Sequence, residues 1–473
     1  VRDRRQRNIA LLVAGTFFME ILDGTILTTA APQIGRALGV PSVAVGVAIT
    51  AYLLTLAVLI PLSGWITRRF GARRVFLTAI AVFTVASILC AVSTSLVELT
   101  VMRVLQGVGG AMMVPVGRLA VLRVTDKGDL IRAIAWLTWP ALTAPVIAPL
   151  AGGIITTWAS WHWIFLINVP LGVIAFLAAW VLVPGEELTR PPRLDWAGLW
   201  LSCTGLGLLV FVGSLLSGVQ PDAVQVAVLG LAGLGLSVRA VVHFRRTRHP
   251  LLDLRALRIE TFRISHAGGS VFRLTISAVP FLLPLLFQDA LGWSPVRSGA
   301  MVLVLFLGNI AIKPATTPLL TRFGFRTVLL LATLGASASM ALAAFLTETT
   351  PVALIVALMF FSGVVRSIGF TGYNTIAFAD IGSQAMTHAN TLASTLQQVA
   401  AGFGVACGAV LLRLGGAVAP SGGASPGAAA GPDALGAFQF SFLVLAALTL
   451  VATVEVLRLT RSAGENIRPK RRA

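Results

Sequence analysis

Hydrophobic positions along this chain come in long unbroken runs, not in the short alternations of a half-buried soluble element. A helix needs about 20 apolar residues to cross a ~30 Å hydrocarbon core at 1.5 Å per residue. Fourteen runs reach that length, starting near residues 9, 45, 75, 97, 133, 163, 196, 222, 266, 296, 326, 352, 392 and 437. Within lipid each backbone polar group must be satisfied inside its own segment, so the pattern predicts an all-α integral membrane protein with fourteen transmembrane helices. An even number of spans puts both termini on one side. The stretch 415–436, rich in Gly, Ala, Pro and Ser, predicts a flexible outer loop.

Composition agrees, because 56% of the 473 residues are hydrophobic and 11% charged, against roughly 25% charged in a soluble domain. The formal charge of +18 would suggest nucleic acid in a soluble protein. Here the basic residues fall in short clusters between apolar runs and are not interleaved with exposed aromatics, which excludes that partner. Their distribution is topological instead. Twenty-seven of the 36 Lys and Arg lie at the termini and in the loops of one side, including Arg2–Arg7, Arg68–Arg74, Arg245–Arg263 and Arg458–Arg472, whereas the other side holds only Arg36, Arg297 and Arg413. Positive loops stay in the cytoplasm, so both termini are expected there, with attraction to anionic membrane lipid as a by-product. The first run is of full spanning length and contains two acids, so no cleavable signal peptide is expected. Cys90, Cys203 and Cys407 each sit in an apolar segment without metal-ligand spacing and read as packing residues.

The chain also repeats itself. Gly64–Leu77 reads GWITRRFGARRVFL and Pro318–Leu331 reads PLLTRFGFRTVLLL, each on a predicted inner loop. If the halves are equivalent six-helix units, residues 1–183 form the first and 263–473 the second, the latter with a basic cytoplasmic tail. Residues 184–262 then carry two inserted helices and a linker. Such duplication is characteristic of secondary transporters.

Several motifs carry a closer likeness. Leu22–Pro32 (LDGTILTTAAP), Gly64–Arg74, Arg103–Ala111 (RVLQGVGGA), Pro145–Gly153 and Trp161–Gly172 together resemble the major facilitator superfamily, more narrowly its fourteen-span drug:proton antiporter branch. The runs QGVGGAMMVPVGR and WHWIFLINVP narrow the likeness to a subgroup of multidrug exporters. The resemblance implies a bacterial inner-membrane exporter of small molecules, working as a monomer by alternating access. It would be driven by the proton gradient, with no cofactor and no bound metal. It assigns gating roles to the inner-loop residues Gly64, Arg68, Arg69, Gly71 and Arg73, and to Pro145, Pro149, Gly152 and Gly153 of the fifth span, which should bend and pack tightly. The family normally has an Asp where this chain has Arg68, and that Asp helps latch the outward-facing state. The latch is therefore in question here.

Charges inside spans are functional candidates, since each costs at least ~2.5–3.5 kcal/mol at the bilayer centre. Glu20 and Asp23 are three apart on one face of span 1, roughly 16 and 12 Å deep. Arg103 on span 4 lies roughly 9 Å deep, within reach of Asp23. That pair reads either as a mutual neutralisation that fixes packing or as part of proton coupling. One Arg compensates only one carboxylate fully, which leaves Glu20 the better proton carrier unless polar neighbours satisfy it. In the second half Arg273, Lys313 and Arg366 lie within spans with no carboxylate at their depth, which favours an anionic ligand unless their stems carry the charge to the surface. Asn374, Gln397 and Gln398 either orient substrate or bond neighbouring helices. By the resemblance these six residues line the substrate cavity.

Among rival classes, a membrane enzyme would need a constellation such as HExxH or GxSxG, and none is present. The P-loop is likewise missing, so ATP does not drive transport. The remaining alternative is an exporter of organic anions or metabolites on the same fold.

Overall fold

In a computed structural model of the chain, residues 2–124, 130–185, 194–217, 223–248, 250–382, 385–418 and 432–460 are described, and among them every regular element is helical. The contacts divide the chain into two compact units, residues 1–251 and 252–473.

The first unit contains α1 (Arg2–Leu38), α2 (Gly46–Phe70), α3 (Ala72–Ala91), α4 (Leu96–Val124), α5 (Leu130–Trp158), the short α6 (Trp163–Leu166), α7 (Asn168–Leu182), α8 (Trp196–Ser217) and α9 (Ala223–Arg246). The second contains α10 (Glu260–Leu285), α11 (Pro295–Ala311), α12 (Lys313–Phe323), α13 (Phe325–Ala343), α14 (Val352–Ala377), α15 (Met386–Val418) and α16 (Pro432–Leu457). Thirteen stretches of the described residues are long and apolar enough to cross a membrane, and α5 supplies a fourteenth helix of spanning length. The fourteen runs read from the sequence are thus all helical. Two of them are broken. The sixth divides at Ile167 into α6 and α7, and the tenth at Ile312 into α11 and α12. In each case a proline, Pro170 or Pro314, falls in the first turn of the new helix, where its missing N–H costs least. The expected outer loop at 415–436 is shorter than its composition suggests, because α15 runs to Val418 and α16 begins at Pro432. Residues 419–431 and most of the basic tail lie outside the described residues.

The internal repeat is visible in the packing. In the first unit α1 packs on α5, α2 on α4, and α3 on both α4 and α7. In the second, α10 packs on α15, α11 on α14, and α13 on both α14 and α16. Gly107 of α4 lies against Tyr52 O of α2, and Gly363 of α14 lies in the same way against Leu305 O of α11. The R-F-G shared by the two inner-loop segments, Arg69–Gly71 and Arg322–Gly324, also adopts the same backbone turn in both copies. Gly71 joins α2 to α3 with φ 83° and ψ 142°, and Gly324 joins α12 to α13 with φ 82° and ψ 154°. A side chain is strained at such a positive φ, so both copies need glycine there. Helices α8 and α9 pack on each other, and α8 also on α2, so the pair belongs with the first unit.

Candidate functional site

The lower-numbered charges form a closed polar cluster inside the first unit. Asp23 of α1 and Arg103 of α4 are both fully buried and form an ion pair, Arg103 Nη1 donating to Asp23 Oδ2. The other carboxylate oxygen, Oδ1, accepts from Gln106 Nε2 of α4 at 2.9 Å and from Asn168 Nδ2 of α7 at 2.8 Å. Arg103 Nη1 also donates to Gln106 Oε1 at 2.6 Å. Ser87 Oγ of α3 accepts from Gln106 Nε2 at 2.8 Å and from Asn168 Nδ2 at 3.3 Å. Helices α1, α3, α4 and α7 are therefore tied at one level around a single buried charge pair. Such pairs persist in low dielectric only when their remaining lone pairs and protons are used, and the two amides do this for Asp23.

Arg103 is less completely served. Its Nε and Nη2 have no hydrogen-bond partner among the described residues. Aromatic faces stand there instead, the guanidinium carbon lying 4.1 Å from the Tyr52 ring centroid and 5.9 Å from that of Phe165. The negative face of each ring replaces part of the lost hydration.

Glu20 lies on the same helix one turn away and is 8% exposed, yet no hydrogen bond joins its carboxylate to any described residue. Tyr52 Oη is also buried without a described partner. Gly110 of α4 faces both, since a Cβ placed on it would lie 3.2 Å from Tyr52 Oη and 3.7 Å from Glu20 Cγ. The two carboxylates of α1 thus have different surroundings. Asp23 is saturated with donors, whereas Glu20 lies near Gly110 and the Tyr52 phenol without a hydrogen bond to a described residue.

The second unit does not reproduce the cluster. With Gly107 matched to Gly363, Met359 and Ser362 occupy the places of Arg103 and Gln106. A different group forms instead. Arg273 of α10 is buried, and its Nη2 donates to Asn374 Oδ1 of α14 at 2.8 Å, an oxygen that also accepts from Gln397 Nε2 of α15 at 3.0 Å. Arg273 Nη1 reaches back to Ser265 O at 3.2 Å, and the guanidinium lies 5.9 Å from the Phe370 ring and 6.0 Å from that of Tyr373. Lys313, the first residue of α12, stands apart from this group and donates to Thr371 Oγ1 of α14 at 3.0 Å. Arg366, itself on α14, packs 5.6 Å from the Phe306 ring of α11, with Nη1 unpartnered among the described residues. Gln398 is half-buried and makes none of these bonds. The structure therefore joins Arg273, Asn374 and Gln397, and leaves Lys313, Arg366 and Gln398 outside that group. All three cations nevertheless lie on α14 or bond to it, and none forms an ion pair with a described carboxylate.

The motif residues occupy helix ends and close crossings. Gly64, Arg68 and Arg69 are exposed at the C-terminal end of α2, and Gly71 makes the turn that follows. Arg73 crosses to α7, where its Nη2 donates to Trp180 O at 2.5 Å and its guanidinium lies 5.7 Å from the Trp180 ring. Helix α5 runs unbroken through Pro145 and Pro149. Its Gly152 meets α1, a Cβ there falling 3.0 Å from Ile26 Cγ1 and 3.1 Å from Ile26 O. Gly153 is buried beside it and its carbonyl accepts from Thr157 Oγ1 at 2.7 Å. Gln33 Nε2 donates across to Thr156 O at 2.7 Å, fastening the same pair of helices.

Sequence reasoning did not single out Gln106, Asn168 or Ser87. The first two stand inside runs that carry the family likeness, RVLQGVGGA and WIFLINVP, so a signal for them existed. Ser87 offered none, because a serine in an apolar helix ordinarily bonds its own backbone, as this one also does to Phe83 O at 2.8 Å. Cys90 is more than packing, since its Sγ lies 3.7 Å from Gln106 Oε1.

Comparison with known proteins agrees with this geometry. The profile of the family described as Major Facilitator Superfamily matches residues 13–405, and a further match covers 267–473. The MdtD proteins of Escherichia fergusonii and of Shigella flexneri serotype 5b, provisionally named multidrug resistance proteins, are each 36% identical over 411 residues, covering 85% of this chain and 85% of theirs. Among solved structures, a D-xylose–proton symporter superposes with a TM-score of 0.68 at 12% identity, over 97% of this chain and 98% of its own. The nucleoside transporter NupG superposes with a TM-score of 0.59 at 15% identity, over 95% of this chain and 98% of its own. Fourteen membrane-length helices, a duplicated inner-loop motif and these matches make the chain a multi-pass membrane transporter of the Major Facilitator Superfamily, similar to the MdtD proteins.

Proposed function

We propose that the chain is a proton-coupled exporter of small molecules, a multidrug-type antiporter working by alternating access in a bacterial inner membrane with both termini cytoplasmic. The observation that carries this reading is the contrast on α1. Asp23 is held by Arg103, Gln106 and Asn168, whereas Glu20, one turn away and buried, has no described partner. A carboxyl group in that position gains and loses a proton without dismantling the network that holds the helices together. The provisional naming of the MdtD relatives supports the multidrug side of the reading, and the positive-inside distribution supports the orientation. The energy source is the proton gradient, with no bound cofactor. Helices α8 and α9 act as an insertion outside the duplicated core. Everted vesicles with an imposed pH gradient test this directly. Glu20→Gln should abolish uphill accumulation of a transported compound while leaving its binding measurable. Unchanged pH-driven accumulation in that variant removes Glu20 from the mechanism.

A second reading has its own observation. Arg273, Lys313 and Arg366 have no described carboxylate to pair with, and their contacts are neutral side chains, backbone and rings. An exporter of organic anions would use such positive charge to hold its substrate. Replacing Arg273 with Gln should then weaken anionic substrates selectively. Equal loss for anionic and cationic compounds points to packing instead.

A further inference from the structure

Among the described membrane-length stretches, those of α8 and α9 are the least covered by the rest of the protein, with 17% and 11% of their apolar segments buried. They touch closely at two levels. At one, Gly205 meets Gly233 and Ser237, a Cβ on Gly205 falling 2.9 Å from Ser237 N. At the other, His243 Nε2 bonds Asp195 Oδ1 at 2.8 Å, just before the start of α8. Between these contacts a groove of about 490 Å³ opens, bordered by Trp200 and Thr204 of α8 and by Arg239, His243 and Arg246 of α9. The α9 residues are spaced i, i+4 and i+7, so they form one stripe that runs roughly 10 Å along the helix.

The charge of this groove is uncompensated. Arg239 and Arg246 are exposed and make no ion pair or hydrogen bond with a described residue. The neighbouring carboxylate, Asp195, is already committed, Oδ1 to His243 and the Gly198 N–H at 2.9 Å, and Oδ2 to the Leu251 N–H at 3.1 Å. A guanidinium on a lipid-facing helix within the span needs a counter-charge that also accepts hydrogen bonds. A phosphodiester supplies both, and binds the planar guanidinium in two-pronged fashion. Trp200 stands on the opposite wall, in the second turn of α8, and an amphipathic ring near the end of a span suits a headgroup contact. Leu201 and Leu236 continue the groove as an apolar track.

We propose that the α8–α9 groove is a binding site for an anionic phospholipid of the leaflet at the Arg246 end. Its phosphate lies between Arg239 and Arg246, and one acyl chain follows Leu201 and Leu236. The site is independent of Glu20 and of any transported compound. Its role is to seat the two exposed helices in the bilayer by a specific charge contact.

The test uses the purified full-length chain in detergent. Native mass spectrometry with phosphatidylglycerol and with phosphatidylcholine of the same acyl chains should show preferential retention of the anionic lipid. The double variant Arg239→Ala/Arg246→Ala should bind phosphatidylglycerol about 30-fold more weakly, from the contribution of two basic residues at a membrane surface. Arg245→Ala, beside the groove but not among its lining residues, should keep the preference. A measurement without variants guards against a folding defect: phosphatidylglycerol, but not phosphatidylcholine, should raise the unfolding temperature of the wild-type chain. Equal retention of the two lipids, an unweakened double variant, a missing temperature shift, or displacement of the lipid by millimolar inorganic phosphate would each overturn the assignment.

Discussion

Replacing Asp23 with Asn changes little in shape and much in charge. The carboxylate now serves three side chains, Arg103, Gln106 and Asn168, through two oxygens. An amide in its place offers one oxygen and turns an NH₂ group toward at least one of these donors. Arg103 would remain fully buried with its charge unpaired, its Nε and Nη2 being already without described acceptors. Removing one partner of a buried ion pair typically costs about 3–5 kcal/mol, because the other charge stays behind. At about 2–4 °C per kcal/mol for a unit of this size, the unfolding temperature in detergent should fall by roughly 6–20 °C. Arg103→Met, which copies the residue at the corresponding place in the second unit, should also destabilise by leaving Asp23 unpaired. The double variant Asp23→Asn/Arg103→Met should be substantially less destabilised than the two single effects added, with a coupling of at least ~2 kcal/mol. Additivity of the two substitutions to within ~0.5 kcal/mol would refute the idea that this pair is energetically one unit.

Three further outcomes are expected. Gly71→Ala and Gly324→Ala should each lower stability by about 1–3 kcal/mol through their positive φ, while Gly64→Ala, on an exposed helical turn with open space around it, should leave unfolding unchanged or slightly improved; comparable losses at all three positions would contradict this. Gly152→Val should separate α1 from α5 at Ile26 and lower the unfolding temperature, and a variant as stable as wild type would show that the contact yields freely. At Asp195 burial pushes the carboxyl up, but the Gly198 N–H, His243 and the Leu251 N–H outweigh it and hold the group below the ordinary 3.8. Its contribution to stability is thus present above about pH 4 and lost as the pH falls through the lower folded-state value. Asp195→Asn should flatten the acid limb of the unfolding curve below about pH 4, whereas parallel curves for variant and wild type would contradict the assignment.

The elements themselves were legible in the chain. Runs of about 20 apolar residues admit one solution in lipid, the helix, so number and placement of spans follow from hydropathy alone. The duplication was legible as well, because R-F-G recurs on both inner loops and needs its glycine at the same backbone angle in each copy. Depth along a helix is also a one-dimensional quantity, and it correctly put Asp23 within reach of Arg103. What one dimension does not contain is the direction in which each helix face points and what stands opposite. Only packing decided that Gln106, Asn168 and Ser87 close around Asp23 while Glu20, three residues away on the same face, meets Tyr52 and Gly110. Only packing decided that Arg273 joins Asn374 and Gln397 while Lys313 and Arg366 do not. The physical reason is that an apolar span constrains its own backbone completely, but a buried polar group is stabilised or stranded by atoms that come from other helices, tens of residues away in the chain.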